Sequence, residues 1–160
     1  MATGMLHLHN LLRWVVLILL LVSIFKAYTG WQQKRSFTAG DRKIWLFTLI
    51  SSHINLLIGL FLLLLGKQYG ILKIKDQLPE GISIMSNKPL RFFWIEHPVF
   101  MIIAIILITA GYKMAKKPVA DELKFKRAFW LFFIALLAIL VAIPWPFREV
   151  IGRPLFPGMH

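Results

Sequence analysis

The chain has 160 residues, 58% of them hydrophobic, and a mean hydropathy of +0.70, which excludes an ordinary soluble domain with a polar surface. The lack of cysteine excludes disulfides, thiolate metal sites and cysteine nucleophiles. A formal charge of +12 would suit nucleic acid, but the Lys and Arg residues flank apolar stretches, where they meet anionic lipid instead.

Four apolar stretches approach the ~20 residues that cross a hydrocarbon core. They lie at 5–25, 44–65, 92–112 and 128–147 and predict an all-α fold: one transmembrane domain over 1–160, an up-down-up-down four-helix bundle in the lipid bilayer. The first stretch does not read as a signal peptide, because it lacks a basic leader and a small-residue cleavage site and contains Arg13. It carries His7 at its edge, then His9, Arg13 and Trp14. A basic loop over 26–43 ends with Asp41, whose carboxylate suits the free N–H groups at the start of the second span. The second span holds Ser51, Ser52, His53 and Asn55 and stops at Gly66.

The loop over 66–91 alternates polar and apolar residues from Ile71 to Lys75 and from Ile82 to Met85, around Pro79-Glu80-Gly81. That pattern predicts a small hairpin over one mouth of the bundle. Pro89 fits the first turn of the third span, which carries Arg91, Phe92, Phe93, Trp94, Glu96, His97 and Pro98. The proline frees a backbone carbonyl and predicts a bend beside His97. A second basic loop over 113–127 leads through Asp121 and Glu122 into the fourth span, which has no ionisable residue from Ala128 to Phe147. Arg148 opens a tail that runs to His160.

The two basic loops share one side of the membrane and carry eleven Lys and Arg residues, against eight on the other side. The positive-inside rule then sets both termini outside the cytoplasm.

Ionisable residues inside spans are costly and mark function. At the rise of an α-helix, His9 lies roughly 9 Å and His97 roughly 7–8 Å from the midplane, both toward the outer face, while His53 is close to the midplane. Helices one and three of an up-down bundle are diagonal, about 12–14 Å apart when neighbours are 8–10 Å apart. A flat macrocycle with one axial imidazole from each side fits that diagonal. The expectation is therefore a haem between His9 and His97, with His53 as the alternate ligand or a partner for a quinone headgroup or a proton. Arg13, Arg91 and Arg148 stand at the same level and suit the carboxylates of haem propionates. Trp14, Phe92, Phe93, Trp94, Trp145 and Phe147 would wall the ring. Glu96 would orient an imidazole or relay a proton.

Other readings of the same residues stand beside this one. The aromatics form an interfacial belt in many membrane proteins, and Arg91 and Arg148 would serve as headgroup anchors. A histidine would hydrogen-bond Ser51, Ser52 or Asn55 across helices, in a cofactor-free structural or assembly subunit whose Ala135, Ala138 and Ala142 pack on another helix. A Cu or Zn site from His9, His53, His97 and Glu96 is a third reading, opposed by a depth gap of roughly 9 Å where metal bonds span about 2 Å.

Several pieces match a known pattern: Leu8-His9 with Arg13-Trp14; Thr48 and Ser52-His53-Ile54 before Leu56-Leu57-Ile58-Gly59; Arg91-Phe92 with Glu96-His97; and Ile143-Pro144-Trp145-Pro146-Phe147. With these the chain resembles, over nearly its whole length, the small bacterial four-helix membrane cytochromes b, or b561-like proteins. The resemblance implies a b-type haem, electron transfer in the bacterial inner membrane, and His9, His53 and His97 as the functional histidines. Three histidines within the spans, rather than four, favour one haem over two. Such a protein would exchange electrons with quinone or other membrane redox subunits, in a respiratory chain or photosynthetic assembly. The chain carries no phosphate-binding glycine loop, nucleophile elbow or H-E-x-x-H helix, so a hydrolase or transferase is not expected. It shows no internal repeat of a transporter.

Overall fold

A computed structural model describes residues 2–75, 78 and 81–156. Among these, four helical segments are long and apolar enough to cross a membrane. They comprise α1 (Ala2–Gln32), α2 (Ala39–Leu65), a third segment over Lys88–Met114, and α6 (Asp121–Ala142). The third segment is composite: α4 (Lys88–Arg91), a π-helical turn (Phe92–Glu96) and α5 (His97–Met114). A single-turn helix, α3 (Ile71–Ile74), lies in the loop before it.

Packing closes a ring. α1 lies against α2 and α6, α5 lies against α6 and α2, and the diagonal pairs touch only slightly. α1 is therefore diagonal to α5, as short connections require.

The helices outrun the apolar stretches that announce them. With 31 residues, α1 is about 46 Å long at the α-helical rise, against a hydrocarbon core of about 30 Å. It ends where Lys34 takes a left-handed backbone (φ 50°), with Lys34 N–H bonding Trp31 O and Arg35 N–H bonding Gly30 O, a Schellman closure. Thr38 then caps α2 in a reciprocal box with Asp41. Asp41 is wholly buried, and its two oxygens take both arms of Arg35 at 2.7 and 2.9 Å while Lys26 lies 3.1 Å away. Those bonds raise the Arg35 pKa above its ordinary value. Asp121 accepts from Phe37 N–H at 2.9 Å and pairs with Lys124, tying the first loop to the start of α6. The bundle is densely filled at this end. Trp45, Phe125 and Phe132 interlock there, and Gly30 admits the Phe125 ring, which an added Cβ would meet at 2.6 Å.

At the other end the expected hairpin does not form. Ile71–Ile74 coil into α3, no strand occurs among the described residues, and Pro79 and Glu80 lie outside them. α2 stops before Gly66, as expected. α6 ends at Ala142 rather than 147, because Pro144 forces Ile143 into extended backbone (φ −70°, ψ 130°). Ala135 and Ala142 are buried inside this bundle, so they are not a free face for an outside helix. Ser23 and Thr48 join α1 to α2 through a buried hydrogen bond of 2.8 Å.

Candidate functional site

The proline-rich end of α6 orients His97. Prolines at 144 and 146 remove two backbone donors, so the last carbonyls of the helix must find side chains. Trp145 Nε1 donates to Leu140 O at 2.8 Å, and Arg148 Nη1 donates to Val141 O at 3.0 Å. His97 Nδ1 donates to Ala142 O at 2.8 Å. A carbonyl only accepts, so Nδ1 carries the proton and Nε2 keeps its lone pair when the ring is neutral.

The turn before His97 is shaped by Pro98. Without a proline N–H to continue the α pattern, the backbone widens, and His97 N–H bonds Phe92 O five residues back. The widened turn also brings Arg91 Nε within 2.7 Å of Glu96 Oε1, a pairing five residues apart.

His9 comes from α1 on the far side of the diagonal. Its ring lies in a hollow left by Gly59 of α2, where an added Cβ would sit 3.2 Å from His9 Cε1. His9 Nδ1 is buried without a hydrogen-bond partner among the described residues. The His9 and His97 ring centres are 6.2 Å apart with their planes at 69°. With metal–nitrogen bonds of about 2.0–2.1 Å, two imidazoles on opposite sides of one metal have ring centres roughly 6–6.5 Å apart.

Both rings border a cavity of about 560 Å³. Asn10 and Arg13 of α1, Ser52 and Asn55 of α2, and Met101 and Ile105 of α5 also line it. Protein interiors leave few voids larger than a water molecule, and a space of this size is the usual scale of a ligand or cofactor site. Asn55 Oδ1 is buried and unpaired beside it. The tail folds back beside the mouth of the cavity: Arg13 Nη2 and Trp14 Nε1 both donate to Leu155 O, at 2.7 and 3.0 Å, and Phe156 stacks on Trp14 at 5.4 Å.

Of the residues singled out by sequence, His9, His97 and Arg13 meet at this cavity. His53 does not. It is half-buried outside the cavity lining, and its Nδ1 donates to Leu49 O of its own helix at 2.8 Å. The structure thus sets His53 apart from the cavity that His9 and His97 share. Arg91 is occupied by Glu96 and Met85 O, and Arg148 by the end of α6 and the face of Phe92 at 4.9 Å, so neither reaches the cavity. Trp94 bonds Tyr69 O, and Trp14 braces the tail, so these two are not cavity walls either. Of the expected aromatic wall, Phe93 alone lines the space, and Phe147 is 79% exposed. No three His, Asp or Glu residues converge to hold a metal among the described residues.

Sequence reasoning missed Gly59, Arg153 and Phe156. Gly59 sits one helical turn past Asn55 and carried a signal as the small residue beside a polar patch. Arg153 and Phe156 belong to an aperiodic tail, where spacing gives no signal. Comparison of the chain with protein-family models, curated proteins and solved structures gives no match.

Proposed function

We propose that the chain is an up-down-up-down membrane protein that holds one haem b between His9 and His97, near the outer leaflet, and carries electrons. The observation that carries this reading is the 6.2 Å separation of the two imidazoles across the bundle diagonal, beside a cavity of about 560 Å³. The unpaired His9 Nδ1 and the hollow at Gly59 fit the same role, since both leave His9 free to be held by something not made of protein.

His9 and His97 would hold the group through their imidazoles. His97 is held at one angle by its bond to Ala142 O, the kind of outer partner that fixes a ligating imidazole. Ile105, Ile108, Met101 and Ile139 give the cavity apolar walls, which favour the less charged oxidation state of a redox centre held there. Such a haem supplies a one-electron couple at an iron with no open position, suited to electron transfer rather than oxygen chemistry. The electron partner is then quinone in the bilayer or a neighbouring membrane redox subunit. Eleven cations on the opposite side support an orientation with both termini, and the histidine end, outside the cytoplasm of a bacterial inner membrane.

A cofactor-free structural or assembly subunit is the second reading, and the bond from His97 to the α6 backbone favours it. It leaves His9 Nδ1 without a partner and the cavity without an occupant. A dithionite-reduced minus oxidised spectrum of the purified protein, expressed with haem available, separates the two. A sharp low-spin b-type α-band supports the cytochrome. A flat spectrum and a negative pyridine haemochrome assay support the structural subunit.

A further inference from the structure

The cavity is charged on one side only. Arg13, Lys67 and Arg153 line it, and no carboxylate lines it among the described residues. Arg13 is 7% exposed and forms no salt bridge among the described residues, and its Nε is buried without a partner. Arg153 is likewise outside any ion pair among those residues, with Nη2 buried and unpaired. Its guanidinium lies 5.3 Å from the Tyr69 ring centre and 5.1 Å from that of Phe93, which are themselves stacked at 4.4 Å. Its backbone N–H bonds Pro144 O at 2.9 Å, and Leu155 O two residues on is clamped by Arg13 and Trp14. The side chain is thus positioned by several independent contacts, yet the one thing it lacks is an anion. A guanidinium nitrogen withdrawn from water without a partner is costly, and the fork of the group fits a carboxylate.

We infer that Arg153, together with Arg13, binds carboxylate groups of the cavity's occupant at the outer mouth. The proposal rests on the haem reading and deepens it. Arg153 and Arg13, which line the cavity, would hold the propionates, and not Arg91 or Arg148, which do not line it. The tail over 153–156 is therefore part of the binding site, and the occupant can enter with only one edge outward.

The test uses the full-length chain purified without haem and titrated with haem b and, separately, with its dimethyl ester, whose carboxylates are blocked. Absorbance reads both affinities in the wild type, Arg153→Gln and Arg153→Lys. The wild type is expected to prefer the free carboxylate form by about tenfold to hundredfold, the scale of a charge-assisted hydrogen bond. Arg153→Gln should lose most of that preference while binding the ester as the wild type does, and Arg153→Lys should keep part of it. Equal affinity of the wild type for both porphyrins overturns the proposal and leaves the histidine ligation standing. So does an Arg153→Gln variant that weakens both alike, which marks a structural role. Should that variant fail to fold, the wild-type comparison and Arg153→Lys still decide. Binding of neither porphyrin overturns this inference and the haem reading together.

Discussion

Replacing Gly59 by alanine, then by valine, asks whether His9 needs the hollow that α2 leaves for its ring. An alanine Cβ would lie 3.2 Å from His9 Cε1 and 3.7 Å from Nδ1. Ordinary carbon contacts lie at about 3.5–4.0 Å, so the ring must retreat by about 0.3–0.8 Å. A metal–nitrogen bond keeps its length within about ±0.2 Å, so the retreat exceeds what ligation tolerates without rearrangement. Glycine to alanine in a helix interior adds about 0.5–1 kcal/mol of helix stability, so the two effects have opposite signs. Gly59→Ala should hold haem about tenfold more weakly, the scale on which supports of a metal ligand act, yet unfold no more readily. Gly59→Val, with two further methyl groups at the ring, should lose the low-spin spectrum. Gly4→Ala is the control: it makes the same exchange on α1 with nothing within 4 Å. Haem titration by absorbance and thermal unfolding in the same detergent give the two readings. A Gly59→Val protein with the wild-type spectrum and affinity would refute the placement of His9.

Other predictions address the rest of the fold. Asp41→Asn removes the charge that Arg35 and Lys26 share; both partners are about 30% exposed, so the loss should be about 1–3 kcal/mol, read by thermal unfolding. Gly30→Leu should destabilise the inner end by at least about 1–3 kcal/mol through overpacking against Phe125, without moving the spectrum of haem bound at the outer end. The chain has no cysteine, so single cysteines report orientation on intact cells. A membrane-impermeant maleimide should label Ser86→Cys and spare Ser36→Cys, and the reverse pattern would invert the topology.

Hydropathy made the four helices legible, because a bilayer demands about 20 apolar residues in each span. Their ends were less so. α1 continues to Gln32 and α6 begins at Asp121 because caps and ion pairs at Lys34, Thr38, Asp41 and Asp121 extend helices into polar surroundings, where hydropathy is silent. Depth and diagonal placement sufficed to bring His9 and His97 together. Depth alone could not place His53, whose partner is its own helix backbone. The pairing of Arg91 with Glu96 was hidden for a different reason. Regular helix spacing sets neighbours three or four residues apart, and the π turn forced by Pro98 joins residues five apart. Of the three arginines read as carboxylate partners, Arg13 lines the cavity, while the prolines commit Arg148 to the carbonyls at the end of α6; Arg153, in the aperiodic tail, lines the cavity instead.

The central claim is ligation by His9 and His97, and the most direct test is the reduced-minus-oxidised spectrum of His9→Ala, His97→Ala and His53→Ala beside the wild type. A low-spin b-type band is expected in the wild type and in His53→Ala, and its loss in the other two while the protein remains in the membrane. A band that survives in His9→Ala and His97→Ala, or disappears in His53→Ala, would contradict it.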